Sequence, residues 1–164
     1  MASAPHLDTV GYEGRAQHDL LRILTEAHVD RLVDVRIRAQ SRKPGFSKST
    51  LTAGLAEVGI GYTHLRDLGT PLDIRAKFRE ATKVRSGGLT GALLQEAREE
   101  FRAYLHGDPD AQLAFAHLAQ LVQQEQVAIL CFEHDHRVCH RAVIAEELRA
   151  THGIDAVHLD SPGA

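Results

Sequence analysis

Short apolar runs alternate with stretches of helical periodicity along the chain, and this alternation predicts the fold. Five such runs are typical of buried strands, and they end at Tyr12, Val35, Leu65, Phe132 and Leu159. Between them, apolar residues recur every three or four positions. This spacing predicts helices over residues 17–27, 47–58, 91–106, 109–124 and 135–152, the last with Asp135 as its N-cap. The glycines and the proline within residues 66–90 predict an irregular segment there.

The order of these elements predicts one α/β domain over residues 1–164. Strands that alternate with helices form a mostly parallel sheet with helices on both faces, which gives three layers. Ligands bind such sheets outside the carboxyl ends of the strands, so the loops after the first four strands should share one rim. The polar and reactive residues of these loops are Tyr12, Glu13, Arg15, Arg36, Arg38, Arg42, Lys43, Arg66, Arg75, Lys77, Glu133, Arg137, Cys139, His140 and Arg141.

Composition restricts the class of protein further. Two cysteines among 164 residues are too few for a disulfide framework, and no apolar run is long enough to span a membrane. The first residues lack the apolar core of a signal peptide. We therefore expect a cytoplasmic protein with no membrane partner. In that compartment Cys131 and Cys139 should remain thiols and form no disulfide.

Positive charge is concentrated in two loops, although the net charge is −3. The segment Arg36–Lys48 holds five cations and no carboxylate, and the segment Arg75–Arg85 holds five cations against Glu80 alone. Basic loops on an otherwise acidic protein favour a phosphate or carboxylate ligand over a long polyanion. We therefore predict that Arg36 and Arg42 bind an anion.

Reactive residues cluster around the end of the fourth strand. Cys131 lies inside the apolar run, where a cysteine is usually a small hydrophobic residue. Glu133 follows at the strand end, and a carboxylate there is either paired with an arginine or available for acid/base chemistry. Cys139, His140 and Arg141 open the next helix, whose N-terminus attracts anions and lowers the pKa of a thiol.

The same segment also contains the residue types that bind transition metals. Cys131, His134, His136, Cys139 and His140 would serve as ligands, although their spacing matches no common zinc pattern. We expect no cofactor, and a metal held by Cys139 and His140 with His134 or His136 is the alternative.

Several motifs resemble those of the family catalogued as "domain of unknown function 488". The matching stretches are 9–15 (TVGYEGR), 32–36 (LVDVR), 41–46 (SRKPGF), 62–65 (YTHL), 68–69 (LG), 130–133 (LCFE), 139–141 (CHR) and 157–159 (VHL). The resemblance implies the α/β fold and a site that holds Arg36, Arg42, His64, Glu133, Cys139, His140 and Arg141. It implies no reaction, because the family name assigns none.

A weaker likeness links the fourth strand to rhodanese-like sulfurtransferases and cysteine phosphatases. Cys131 and Arg137 have the C-x5-R spacing of their anion-binding loops. The intervening residues contain no glycine and two acids, Glu133 and Asp135, and these acids would repel a bound phosphate or a thiolate.

The sequence is compatible with three functions. The first is an enzyme that acts on a phosphate-bearing ligand, a nucleotide or nucleic acid, by hydrolysis or group transfer, with Glu133 and His140 as acid/base groups. The second is a sulfurtransferase or cysteine phosphatase that uses a thiol. The third is a non-catalytic module for single-stranded nucleic acid, in which Tyr12, Phe46 and Tyr104 would stack on bases.

The strand positions of Glu133 and Cys131 predict that the carboxylate of Glu133 contributes more to activity than the thiol of Cys131. Glu133 ends the strand where ligands approach, whereas Cys131 lies two residues deeper in the apolar run. Replacing Glu133 by Gln should cost about 10²–10⁴-fold in rate. Replacing Cys131 by Ala should mainly reduce stability by leaving a small cavity.

Overall fold

Five parallel strands form a single sheet in a computed structural model that describes residues 3–83 and 88–159. The strands are β1 (His6–Gly11), β2 (Arg31–Asp34), β3 (Gly61–His64), β4 (Val127–Cys131) and β5 (Asp155–His158). Their order across the sheet is β3-β2-β4-β1-β5, and every neighbouring pair is parallel. Each strand ends one residue before its predicted end, so the prediction of one parallel sheet is confirmed.

Six α-helices within the described residues cover the two faces of this sheet. They are α1 (Gln17–Glu26), α2 (Lys48–Glu57), α3 (Leu72–Lys83), α4 (Gly88–Gly107), α5 (Pro109–Gln124) and α6 (His140–His152). The buried side chains of α1 and α2 form one apolar core with one face of the sheet, and those of α3 to α6 form a second core with the other face. The predicted three-layer α/β arrangement is therefore confirmed. No helix in the described ranges is long and apolar enough to cross a bilayer.

Central strand β4 contributes to both cores, because alternate side chains of a strand point to opposite faces. Ala128 and Leu130 pack towards α1 and α2, whereas Val127, Ile129 and Cys131 pack towards α3 to α6. All five residues of the strand are buried, as expected for a parallel strand covered on both sides. This alternation points Cys131 to the face on which α3 and α6 lie.

Helix α3 occupies a segment that the sequence predicted to be irregular. Pro71 directly precedes the helix, where its missing N–H costs no hydrogen bond, and its carbonyl accepts from the backbone N–H of Arg75. Ile74, Phe78 and Ala81 have helical spacing and are buried, and α3 packs mainly against α4. The prediction was wrong because Pro71 was interpreted as part of a loop and not as a helix start. Arg85, a member of the second basic segment, lies outside the described residues.

Helix α6 begins at His140, five residues later than the predicted N-cap Asp135. The Asp135 carboxylate does accept a hydrogen bond from the Arg137 N–H, but it caps a short 3₁₀ helix over 136–138. Cys139 is the N-cap of α6, and its sulfur accepts from the Arg141 N–H. The later start places Cys139, His140 and Arg141 in the first turn, directly beside the end of β4.

Candidate functional site

A cavity of about 670 Å³ opens at the carboxyl ends of β2 and β4 and extends along α3. Three of its buried lining residues, Cys131, Cys139 and His140, lie where β4 ends and α6 begins, and we call them the floor. The walls come from the loops after β1, β2 and β4 and from one side of α3. The cavity therefore lies where the parallel sheet predicts a ligand site.

Cys131 and Cys139 are joined in the structure as a disulfide. The prediction that these thiols form no disulfide is therefore wrong. That prediction rested only on the expectation of a reducing compartment. In the structure, the end of β4 and the N-cap of α6 bring both sulfurs to the same point. Their Cα atoms are 7.7 Å apart.

Arg141 lies behind the floor and is fully buried. Its guanidinium donates to the sulfur of Cys131 at 2.9 Å, to the hydroxyl of Thr9, and to the backbone carbonyls of Glu133 and His134. In the reduced protein, a cation this close to the sulfur would stabilise a thiolate at Cys131. The sequence had assigned Arg141 to ligand binding, and the structure shows it positioning the loop after β4.

Gly11 permits this close packing of β1 against the loop after β4. A Cβ atom at residue 11 would lie 1.9 Å from the carbonyl oxygen of Glu133, which is far inside any van der Waals contact. Only glycine allows the backbone of Glu133 to approach here and remain within reach of Arg141.

His140 is fixed by a hydrogen bond between its Nε2 and the carbonyl of Val35, at 3.0 Å. Because a carbonyl only accepts, Nε2 carries the proton, and the lone pair of Nδ1 faces the Cys139 sulfur at 3.6 Å. Burial, with a smaller contribution from the charge of Arg141, outweighs the hydrogen bond to Val35 and lowers the pKa of His140 to about 4. The ring is therefore neutral near pH 7 and is no source of protons there.

Arg36 lines the cavity, but its guanidinium is held by protein groups. Asp34 accepts from its Nε at 2.8 Å and from its Nη2 at 2.6 Å, and Phe46 and Tyr12 accept from its Nη1. Burial lowers the pKa of Arg36, but the hydrogen bonds and the charge of Asp34 outweigh this effect and raise it. The carboxylate that neutralises Arg36 lies two residues before the basic segment. His64 binds the carbonyl of Arg36 at 2.6 Å.

Of the other residues assigned to ligand binding, Tyr12 lines the cavity and Arg42 does not. Tyr12 lines the cavity but is buried, with its ring stacked on Phe46 at a centroid distance of 4.5 Å. Arg42 is exposed and lies outside the cavity lining. Tyr12 therefore shapes the wall, and Arg42 does not reach the cavity.

Three other arginines supply the positive charge of the cavity: Arg38, Arg75 and Arg79. All three are exposed, and no ion pair joins any of them to a carboxylate among residues 3–83 and 88–159. Neighbouring Lys77 instead pairs with Glu96 and Glu100 on α4. The sequence predicts Arg38 and Arg75 on the rim, but they were not among the residues assigned to ligand binding. The helical spacing of 75 and 79 was the signal that it missed.

Glu133 lies on the cavity wall and is partly exposed. The sequence left open whether this carboxylate pairs with an arginine or is available for acid/base chemistry. In the described part of the chain it forms no salt bridge. Its carboxylate therefore remains available to a ligand in the cavity. Phe132 precedes it and is 45% exposed, an unusual position for an aromatic side chain.

The likeness to rhodanese-like and phosphatase loops gains no support from the geometry. Arg137 would have to close such a loop over Cys131, but it is 76% exposed and pairs with Asp135. Arg141 contacts Cys131 instead. The loop after β4 thus uses a buried arginine from the helix and not one from the loop itself.

Comparison with models of protein families gives a match. The family model "Domain of unknown function DUF488" matches residues 17–148, which is most of the chain. Neither the comparison with curated proteins nor that with solved structures finds a match.

Proposed function

The chain belongs to the DUF488 family, and because that name assigns no activity, we propose from the site itself that the protein is an enzyme acting on a phosphate-bearing ligand. The observation that carries this proposal is the cavity, in which Arg38, Arg75 and Arg79 have no carboxylate partner in the described ranges. Arginine binds phosphate oxygens through paired N–H donors. We place the enzyme in the cytoplasm.

The dimensions of the cavity favour a nucleotide. Pockets for small molecules and cofactors measure about 300–1,000 Å³, and the volume of about 670 Å³ lies within that range. The exposed ring of Phe132 offers a surface on which a base can stack. Arg75 and Arg79 on α3 would bind the phosphates. A nucleic acid would enter this site only by presenting a single unstacked nucleotide.

The reaction we propose is hydrolysis or group transfer with Glu133 as the acid/base group. Glu133 lines the cavity, and its carboxylate is not neutralised by a salt bridge to a described cation. His140, the other predicted acid/base residue, has an imidazole held by Val35 and directed at the Cys139 sulfur. Proton transfer is therefore better assigned to Glu133, with His140 as part of the floor.

Calorimetry with a nucleoside triphosphate tests the binding site. Replacing Arg75 and Arg79 together by alanine should weaken its binding by at least about tenfold, since hydrogen bonds to charged groups contribute about 1.5–3 kcal/mol each. Arg42→Ala is the matched control, because Arg42 is an exposed cation outside the cavity lining. If Arg42→Ala weakens binding and the double variant does not, the ligand binds in the basic loop after β2 and our site is wrong.

Glu133→Gln should lower the turnover of a phosphate-bearing substrate by about 10²–10⁴-fold, because general acid/base groups contribute on that order. The melting temperature should stay within a few degrees, since Glu133 is only partly buried. Glu13→Gln provides the control, as Glu13 is a second carboxylate in the cavity lining. Equal activities of the two variants and the wild type would exclude Glu133 as the acid/base group.

Thiol chemistry is the second candidate, and the contact between Arg141 and the Cys131 sulfur favours it. A sulfurtransferase or cysteine phosphatase would carry a persulfide or a phosphorylated cysteine after incubation with substrate. Mass spectrometry of the intact protein would detect either adduct. Turnover without any adduct on Cys131 or Cys139 would favour acid/base chemistry at Glu133.

A further inference from the structure

We propose that the protein with reduced cysteines binds one zinc ion through the sulfurs of Cys131 and Cys139 and the Nδ1 atom of His140. These three residues form the floor of the cavity, so a zinc ion held by them would keep its fourth coordination position open to a ligand there. The zinc site itself is independent of the proposed function. Only its use in catalysis rests on that function.

The ligand atoms converge as a zinc ion requires. One atom from each of the three residues lies within 4.8 Å of the others, and all three residues are buried. Zinc binds sulfur at about 2.3 Å and nitrogen at about 2.0–2.1 Å in tetrahedral geometry, which places a sulfur and a nitrogen ligand about 3.6 Å apart. The distance between the Cys139 sulfur and His140 Nδ1 is 3.6 Å.

The backbone separation of the two cysteines also suits a bridging ion. Cysteines joined by an ordinary disulfide have Cα atoms about 4.4–6.8 Å apart. In this protein the separation is 7.7 Å. Two sulfurs on one zinc ion lie about 3.7 Å apart, against about 2 Å in a disulfide, so zinc accommodates the wider spacing.

Hydrogen bonds around the floor orient each ligand for zinc. The Nε2–H of His140 donates to Val35, which leaves Nδ1 with the lone pair that a metal needs. Arg141 donates to the Cys131 sulfur through its guanidinium at 2.9 Å and to the Cys139 sulfur through its backbone N–H at 3.5 Å. Such donors to thiolate sulfur are typical of the groups around metal sites.

From the sequence alone, Cys131, Cys139 and His140 belong to a larger set of possible metal ligands that also includes His134 and His136. In the described part of the chain, the set that converges excludes His134 and His136. The ring of His136 is stacked on that of His158, with centroids 3.5 Å apart. The two adjacent ligands Cys139 and His140 explain why the spacing matched no common zinc pattern.

Three protein ligands leave a position for water, as in catalytic zinc sites. Zinc lowers the pKa of a bound water to about 7. A zinc ion held by these residues would activate the attacking water. Glu133 would accept the proton of that water as its oxygen bonds to phosphorus, and would pass the proton to the leaving oxygen, which departs with its bonding electrons. The two thiolates neutralise the charge of the ion, and binding releases their protons.

The test uses the full chain, reduced with a phosphine under anaerobic conditions and freed of metal by chelation. Titration with zinc should reach one ion per chain, and X-ray absorption at the zinc edge should show two sulfur ligands. Cobalt should give the absorption band of thiolate-to-cobalt charge transfer. A shell of nitrogen and oxygen ligands only, or no zinc retained on gel filtration, would overturn the proposal. These measurements on the wild type need no variant to fold.

Two variants and one control locate the site. Cys139→Ser, with folding checked by circular dichroism, should lose the cobalt charge-transfer band, whereas replacing His134 and His136 together by alanine should retain it. The reverse pattern would place the metal on those histidines and refute the proposed ligand set. Nucleoside triphosphate binding to the metal-free wild type separates the two proposals. Ligand binding without zinc binding refutes the zinc site alone, and zinc binding without ligand binding refutes the proposed function alone.

Discussion

Asp34→Ala should lower the free energy of unfolding by about 3–5 kcal/mol, because it leaves the Arg36 guanidinium buried without its carboxylate. Asp34 is fully buried and Arg36 is 8% exposed. The carboxylate accepts two hydrogen bonds from the Arg36 guanidinium and one from the Tyr62 hydroxyl at 2.6 Å. Urea denaturation followed by circular dichroism would measure the loss.

A double variant isolates the unpaired charge as the cause. Replacing Arg36 by Met in the Asp34→Ala background removes the buried charge, so the double variant should be more stable than Asp34→Ala alone. Glu96→Gln is the surface control, since its pair with Lys77 is more than one third exposed and its loss should leave the urea midpoint nearly unchanged. A double variant no more stable than the single one would show that the charge of Arg36 is not the cause.

Arg141→Ala should destabilise the protein by about 3–5 kcal/mol as well. Arg141 is among the largest fully buried side chains, so truncation leaves a cavity. It also removes donors from the carbonyls of Glu133 and His134 and from the hydroxyl of Thr9. The loop after β4 should loosen first, and hydrogen exchange of residues 132–139 should rise more than that of β1.

Arg137→Ala is the matched control for this experiment. It is an arginine of the same segment, but it is 76% exposed and pairs with Asp135 on the surface. Its loss should leave the urea midpoint of unfolding nearly unchanged, because solvent screens an exposed ion pair. Equal stabilities of Arg137→Ala and Arg141→Ala would mean that Arg141 does not anchor the loop after β4.

The layered fold could be predicted from the sequence because burial on both sides of the sheet leaves a simple pattern. Strand β4 is continuously apolar and the helices carry apolar residues at helical spacing. Helix α3 was missed because Pro71 breaks a helix in most positions but is tolerated just before one. The start of α6 was misplaced because Asp135 does cap a turn, and sequence alone does not distinguish a 3₁₀ turn from a long helix.

The location of the site could be predicted, but the roles of its residues could not. Cys139 and His140 were expected beside the end of β4, and they lie there. The pairing of Asp34 with Arg36 depends on how the chain turns after β2, which no local pattern records. The contact of Arg141 with Cys131 joins the first turn of α6 to the end of β4. Such contacts depend on tertiary packing and not on local sequence.

The central claim is that a phosphate-bearing ligand binds in the cavity above Cys131, Cys139 and His140. A crystal structure with a non-hydrolysable nucleoside triphosphate tests it most directly. We predict phosphate oxygens within hydrogen-bonding distance of Arg75 and Arg79, with the terminal phosphate next to Glu133. A nucleotide bound outside the cavity, with its phosphates on Arg42 and Lys43, would contradict the account.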